Sequence, residues 1–112
     1  MVNKGTVCGA EVFAAALKDF DAAEVIGTTT YGKATAQNIL VLPKGDAVSL
    51  STTLYLPPSG VSFDGVGVLP DNVVTLSEEK LMNFTTLTKD DDDQLQAAVE
   101  YLKDMKVTQN KD

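Results

Sequence analysis

The middle of this chain is committed to antiparallel sheet. Residues 37–42 and 47–56 are β-rich runs on either side of Pro43, Lys44, Gly45 and Asp46, a composition that closes a hairpin. In the second run Val48, Leu50, Leu54 and Leu56 share one face, and Ala47, Ser49, Ser51, Thr53 and Tyr55 share the other. That alternation predicts a strand buried on one side. Pro57 and Pro58 end it.

The hairpin constrains the stretch before it. Residues 27–37 carry Gly27, Gly32 and the single lysine Lys33, and they nearly spell a phosphate-cradling loop, Gly-x-x-x-x-Gly-Lys. Such a loop needs a helix starting at the lysine and a hydroxyl beside it for Mg²⁺. Here Ala34 takes the hydroxyl position and a strand pattern follows, so the match fails on both counts. The remaining reading is a loop between strands that delivers Lys33 to a site made elsewhere. A buried, neutral lysine can act as a general base if a nucleophile lies in reach.

Composition narrows the nucleophile. The 112 residues contain no histidine and one cysteine, Cys8, which excludes Ser-His-Asp and Cys-His arrangements and any internal disulfide. Cys8 precedes a helical pattern, where the helix dipole favours a thiolate. Taken singly, a lone cysteine is usually a small buried hydrophobe, and a loop lysine is usually solvated. The net charge of −7 disfavours nucleic acid and anionic membrane surfaces as partners. No apolar run reaches the ~20 residues needed to span a bilayer, so no stable membrane insertion is expected.

Elsewhere the periodicities predict a strand end at Val2, then a helix from Gly9 with Val12, Phe13, Ala16, Leu17 and Phe20 on its apolar face. Thr6 is a candidate N-cap for it. Residues 23–28 read as a short buried strand. Residues 60–70 form a glycine-rich loop with Val61, Phe63, Val66 and Val68 able to tuck inward. Val73 and Val74 suggest a very short strand, and residues 77–82 a helical turn. Residues 92–106 predict an amphipathic helix on Leu95, Ala98, Val99, Leu102 and Met105, with a frayed tail over 107–112.

The order of motifs adds what spacing alone does not. Val2-Asn3-Lys4-Gly5-Thr6-Val7-Cys8-Gly9-Ala10-Glu11 resembles the nucleophile motif of the C-terminal processing (tail-specific) peptidases. Gly27-Thr28-Thr29-Thr30-Tyr31-Gly32-Lys33-Ala34-Thr35-Ala36-Gln37 is similar to that family's lysine motif. Residues 50–60, Val66-Gly67-Val68-Leu69-Pro70-Asp71 and Asp93-Gln94-Leu95-Gln96-Ala97-Ala98 resemble three further segments in the family's order.

The resemblance implies a partial α/β domain, a mixed sheet with flanking helices of the crotonase/Clp-protease-like kind. Residues 1–106 would be the C-terminal part of the catalytic domain. It implies a nucleophile–lysine pair that hydrolyses peptide bonds near protein C-termini through an acyl-enzyme, with no metal or cofactor. On this chain the pair falls on Cys8 and Lys33, with Gln37 orienting the lysine and the Gly9 N–H in the oxyanion hole. Cysteine stands where the family has serine. The rival expectation is therefore a binding or scaffold homologue that has lost its catalytic serine. The family's preceding half-domain, a Gly-Gly segment with a second oxyanion donor and often a PDZ domain, has no counterpart in the matched motifs. Weak activity from this chain alone is the expectation. Sheet edges left unpaired favour pairing with a second copy. Relatives work mostly in the cell envelope or outside the cytoplasm, and the parent is expected there.

Overall fold

The computed structural model describes residues 1–109. The elements run α1 (Gly9–Asp19), β1 (Ile26–Gly27), β2 (Thr35–Val41), β3 (Ala47–Leu54), β4 (Asn72–Val73), α2 (Glu78–Met82), a 3₁₀ turn (Phe84–Thr86) and α3 (Asp93–Gln109). The chain is mixed α/β. β1 pairs in parallel with β4 and, through one bridge at Gly27, with Val2. β2 and β3 form a separate antiparallel ribbon. α3 packs on β1, and its Gln94 amide donates to the Val74 carbonyl at 2.7 Å. The helix continues past residue 106 to Gln109. Of the expected 107–112 tail, residues 110–112 lie outside the described residues.

Two small cores hold the body together. Ala15, Ala34, Phe63 and Val68 form one, with Val12 against it. Val2, Ala14 and Val25 form the other. Phe63 and Val68 tuck inward as the sequence predicts, whereas Val61 and Val66 stay exposed. The loop's backbone is taken up with hydrogen bonds to residues 30–34 at Gly65 and Val68.

Four expectations are corrected. The buried face of α1 is Glu11, Ala14 and Ala15, while Phe13 and Phe20 are 66% and 71% exposed. The helix packs Ala15 against Ala34, Phe63 and Val68, and Ala14 against Val2 and Val25. The cap of α1 is Cys8, not Thr6. Thr6 instead closes a turn, its Oγ1 accepting from the Asn3 N–H at 3.1 Å. In addition, β3 is exposed along its whole length rather than buried on one face, because among the described residues no other element packs closely on the ribbon. α3 is similarly rotated: Gln94 is its buried residue, and Leu102 and Met105 are exposed.

The ribbon makes the molecule long. Its radius of gyration is 18.2 Å, with extents of 66 × 36 × 19 Å; a compact chain of this length has a radius near ~13 Å.

Candidate active site

The site is assembled from three segments. The first is the turn into α1. Cys8 sits at φ 56°, ψ −116°, a conformation that L-residues avoid. Such a position costs ~1–3 kcal/mol and survives only where the surroundings over-determine it. It places the half-buried thiol at the start of an 11-residue helix, where the free N–H groups and the dipole favour negative charge. The first helical N–H, at Gly9, has no acceptor among the described residues and is open to a ligand oxygen.

The second segment is the lysine loop. β2 begins two residues after Lys33, so a strand and not a helix follows it, as the failed phosphate-loop match predicts. The third segment, residues 63–68, zips against this loop. The Thr30 N–H donates to the Val68 carbonyl at 3.2 Å and the Gly65 N–H to the Gly32 carbonyl at 2.8 Å. The Ala34 N–H donates to Asp64 Oδ1 at 2.9 Å. Gly67 makes the close approach possible: a Cβ there would lie 2.5 Å from the Thr30 carbonyl oxygen. Lys33 is therefore carried on a loop pinned from behind.

Glu11 joins the first two segments. It is completely buried. Its Oε2 accepts from the Cys8 N–H at 2.8 Å and from the Lys33 N–H at 2.9 Å. Its Oε1 accepts from the Thr30 hydroxyl at 2.5 Å and from the Gly32 N–H at 2.6 Å. Burial pushes the carboxyl up. The Thr30 hydroxyl and the Lys33, Gly32 and Cys8 N–H groups together outweigh it and hold the carboxyl below its ordinary value. Glu11 is thus an anion with all its acceptor sites engaged.

Among the sequence candidates, the structure brings the backbones of Cys8, Gly9 and Lys33 together. The N–H groups of Cys8 and Lys33 meet at one oxygen. No hydrogen bond joins Cys8 Sγ to Lys33 Nζ among the described residues. Gln37 is not drawn in. It lies exposed on β2 opposite Ser51, beside a register shift between Ala36 and Gln37. Glu11 is the residue that sequence reasoning missed as a site component, since a glutamate in a first helical turn reads as a complement to the dipole. Its signal was position: three residues after the cap, where a glutamate reaches back to the cap N–H.

A cleft of 690 Å³ opens elsewhere, between the end of α1, Met1 and α3, lined by Lys18, Asp71 and Tyr101 among others. Neither Cys8 nor Lys33 lines it. Among the described residues no three His, Cys, Asp or Glu side chains gather to hold a metal ion.

Comparison with known proteins gives the family. Residues 1–74, which hold all three segments, match the profile of peptidase family S41. A carboxy-terminal-processing protease of Bartonella bacilliformis is 42% identical over 74 residues, covering 66% of this chain and 17% of the relative. A carboxyl-terminal-processing protease of Synechocystis is 33% identical over 102 residues, covering 91% of this chain and 23% of the relative. Among solved structures, a photosystem II D1 C-terminal processing protease superposes with a TM-score of 0.60 at 37% identity, covering 65% of this chain and 19% of that one. The chain thus spans about a fifth of the length of these relatives. With a family match over two thirds of its length and the Cys8 and Lys33 motifs inside it, the chain belongs to peptidase family S41.

Proposed function

We propose that residues 1–106 are the part of a C-terminal processing peptidase that carries the nucleophile and the general base, within a crotonase/Clp-protease-like catalytic domain. The observation that carries this reading is the convergence of the Cys8 and Lys33 N–H groups on Glu11 Oε2. Two loops 25 residues apart in sequence are held together at the positions where the family resemblance puts its nucleophile and lysine.

The chemistry follows from these groups. Lys33 takes the Cys8 thiol proton, and the thiolate attacks the scissile carbonyl. The Gly9 N–H donates to the developing oxyanion. The C–N bond breaks as Lys33 returns its proton to the leaving amine, which leaves a thioester on Cys8. Water, deprotonated by Lys33, then cleaves the thioester and frees the acid and the thiol. Gln37 orients the Lys33 amine once β2 is seated in a complete domain. Substrates are protein or peptide C-termini. The parent works in the cell envelope or otherwise outside the cytoplasm; the name of one relative, from Arabidopsis thaliana, places that protein in the chloroplast. Free edges of the β2–β3 ribbon favour pairing with a second copy.

A second reading, a binding homologue without catalysis, is favoured by the cysteine at the nucleophile position. A chimera separates the two. Residues 1–74 replace the matching segment of the Bartonella bacilliformis relative, and cleavage of peptides with apolar C-termini is measured. Cleavage that is lost on Lys33→Ala supports the peptidase. No cleavage by the chimera or by its Cys8→Ser variant supports the binding homologue.

A further inference from the structure

Catalysis by two side chains on separate loops requires that something fix one loop against the other. Among the described residues, Glu11 is the side chain that hydrogen-bonds both the Cys8 and the Lys33 backbone. From this we infer that Glu11 is the positioning residue of the Cys8–Lys33 pair: its buried carboxylate sets the backbone of the nucleophile turn against that of the lysine loop. The inference rests on the reading of Cys8 and Lys33 as nucleophile and base.

The chemistry of the donor set explains the residue type. Four donors converge, two on each oxygen: Cys8 and Lys33 N–H on Oε2, Gly32 N–H and the Thr30 hydroxyl on Oε1. An ionised carboxylate is the one side chain that only accepts and has room for four. The Thr30 proton is directed at Glu11, because Thr30 Oγ1 already accepts from the Val68 N–H at 2.7 Å. Glutamine has the same shape but turns an amide N–H₂ toward two of these donors. Aspartate is one methylene short of the loop. The bond to the Cys8 N–H also falls on the residue whose backbone is strained, at φ 56°. It anchors the turn that lifts the thiol out of the helix start. Among the described residues the Glu11 carboxylate hydrogen-bonds neither the Cys8 thiol nor the Lys33 amine, so it acts through geometry.

A coupling measurement tests this. Cys8 alkylation by iodoacetamide at pH 7 is followed in the unaltered chain, Lys33→Ala, Glu11→Gln and the double variant. With Glu11 present, Lys33→Ala slows alkylation by about fivefold or more; with Gln at position 11, the same change alters it by less than about twofold. An equal Lys33→Ala effect in both backgrounds overturns the positioning role and leaves the pair standing. No Lys33→Ala effect in the unaltered chain overturns the pair and the positioning role together. A measurement on the unaltered chain covers a Glu11→Gln variant that does not fold. The Cys8 and Lys33 amides are expected to exchange with solvent at least about tenfold more slowly than the Gly9 amide. Exchange of either one at the Gly9 rate overturns the proposal.

Discussion

The clamp around Glu11 and the β2–β3 ribbon are built on opposite principles. In the clamp, residues 8–11, 30–34 and 63–68 hold one another by side chain-to-backbone hydrogen bonds, and Glu11, Thr30 and Ala34 are completely buried. In the ribbon every residue of β3 is exposed, and the cross-strand ladder is nearly all that holds it. An isolated two-stranded ribbon is marginal in water. The difference shows that the Cys8 and Lys33 backbones are held by contacts internal to this chain, while the ribbon's apolar residues lie exposed.

Substitutions break or sharpen that contrast. The largest effect is expected in the core behind the lysine loop. Phe63→Ala should cost ~3–5 kcal/mol in urea unfolding, because the buried ring packs with Ala15, Ala34 and Val68. Gly67→Ala comes next, at ~2–4 kcal/mol. Its φ of 82° is unfavourable for alanine, and the new Cβ would collide with the Thr30 carbonyl. Gly45→Ala in the ribbon turn is the matched comparison. Its φ is 89° but nothing lies within 4 Å of the added Cβ, so only the conformational cost of ~1–2 kcal/mol remains. Equal losses at the two glycines would erase the distinction between clamp and ribbon. On the ribbon face itself, Val41→Thr should change stability by less than ~0.5 kcal/mol, since Val41 is 76% exposed.

Acid should attack the clamp first. The folded Glu11 carboxyl titrates below its unfolded counterpart, so its stabilisation is complete at neutral pH and is lost as pH falls through the folded value. Asp71 has the same sign. Burial pushes it up, and the Lys18 ammonium at 2.6 Å and the Val25 N–H pull it further down. Amide exchange across an acid series should therefore show Cys8, Gly32 and Lys33 losing protection together, ahead of the ribbon ladder.

The sequence carried the element order because turn chemistry and periodicity are local. Pro43 to Asp46 fixed the hairpin, and the run after Lys33 could be only a strand. It did not carry the faces. Phe13 and Phe20 mark an apolar side of α1, but periodicity cannot say what covers them; among the described residues they face solvent. Glu11 was legible as a capping residue and no further. Its burial arises where segments around residues 8, 30 and 33 converge in space, and no local pattern reports a convergence of donors. The family was legible because the motifs around Cys8 and Lys33 occur in the order that it uses. The side-chain environment of Gln37 was not, since a strand position fixes a register and not a neighbour.

The central claim is that Lys33, carried by the clamp, acts on Cys8. The direct test is the rate of Cys8 alkylation at pH 7 in Lys33→Ala beside Lys44→Ala, which removes a lysine from the ribbon turn. The account predicts a loss of about fivefold or more for Lys33→Ala and a change within about twofold for Lys44→Ala. Rates within twofold of the unaltered chain for both variants would contradict it.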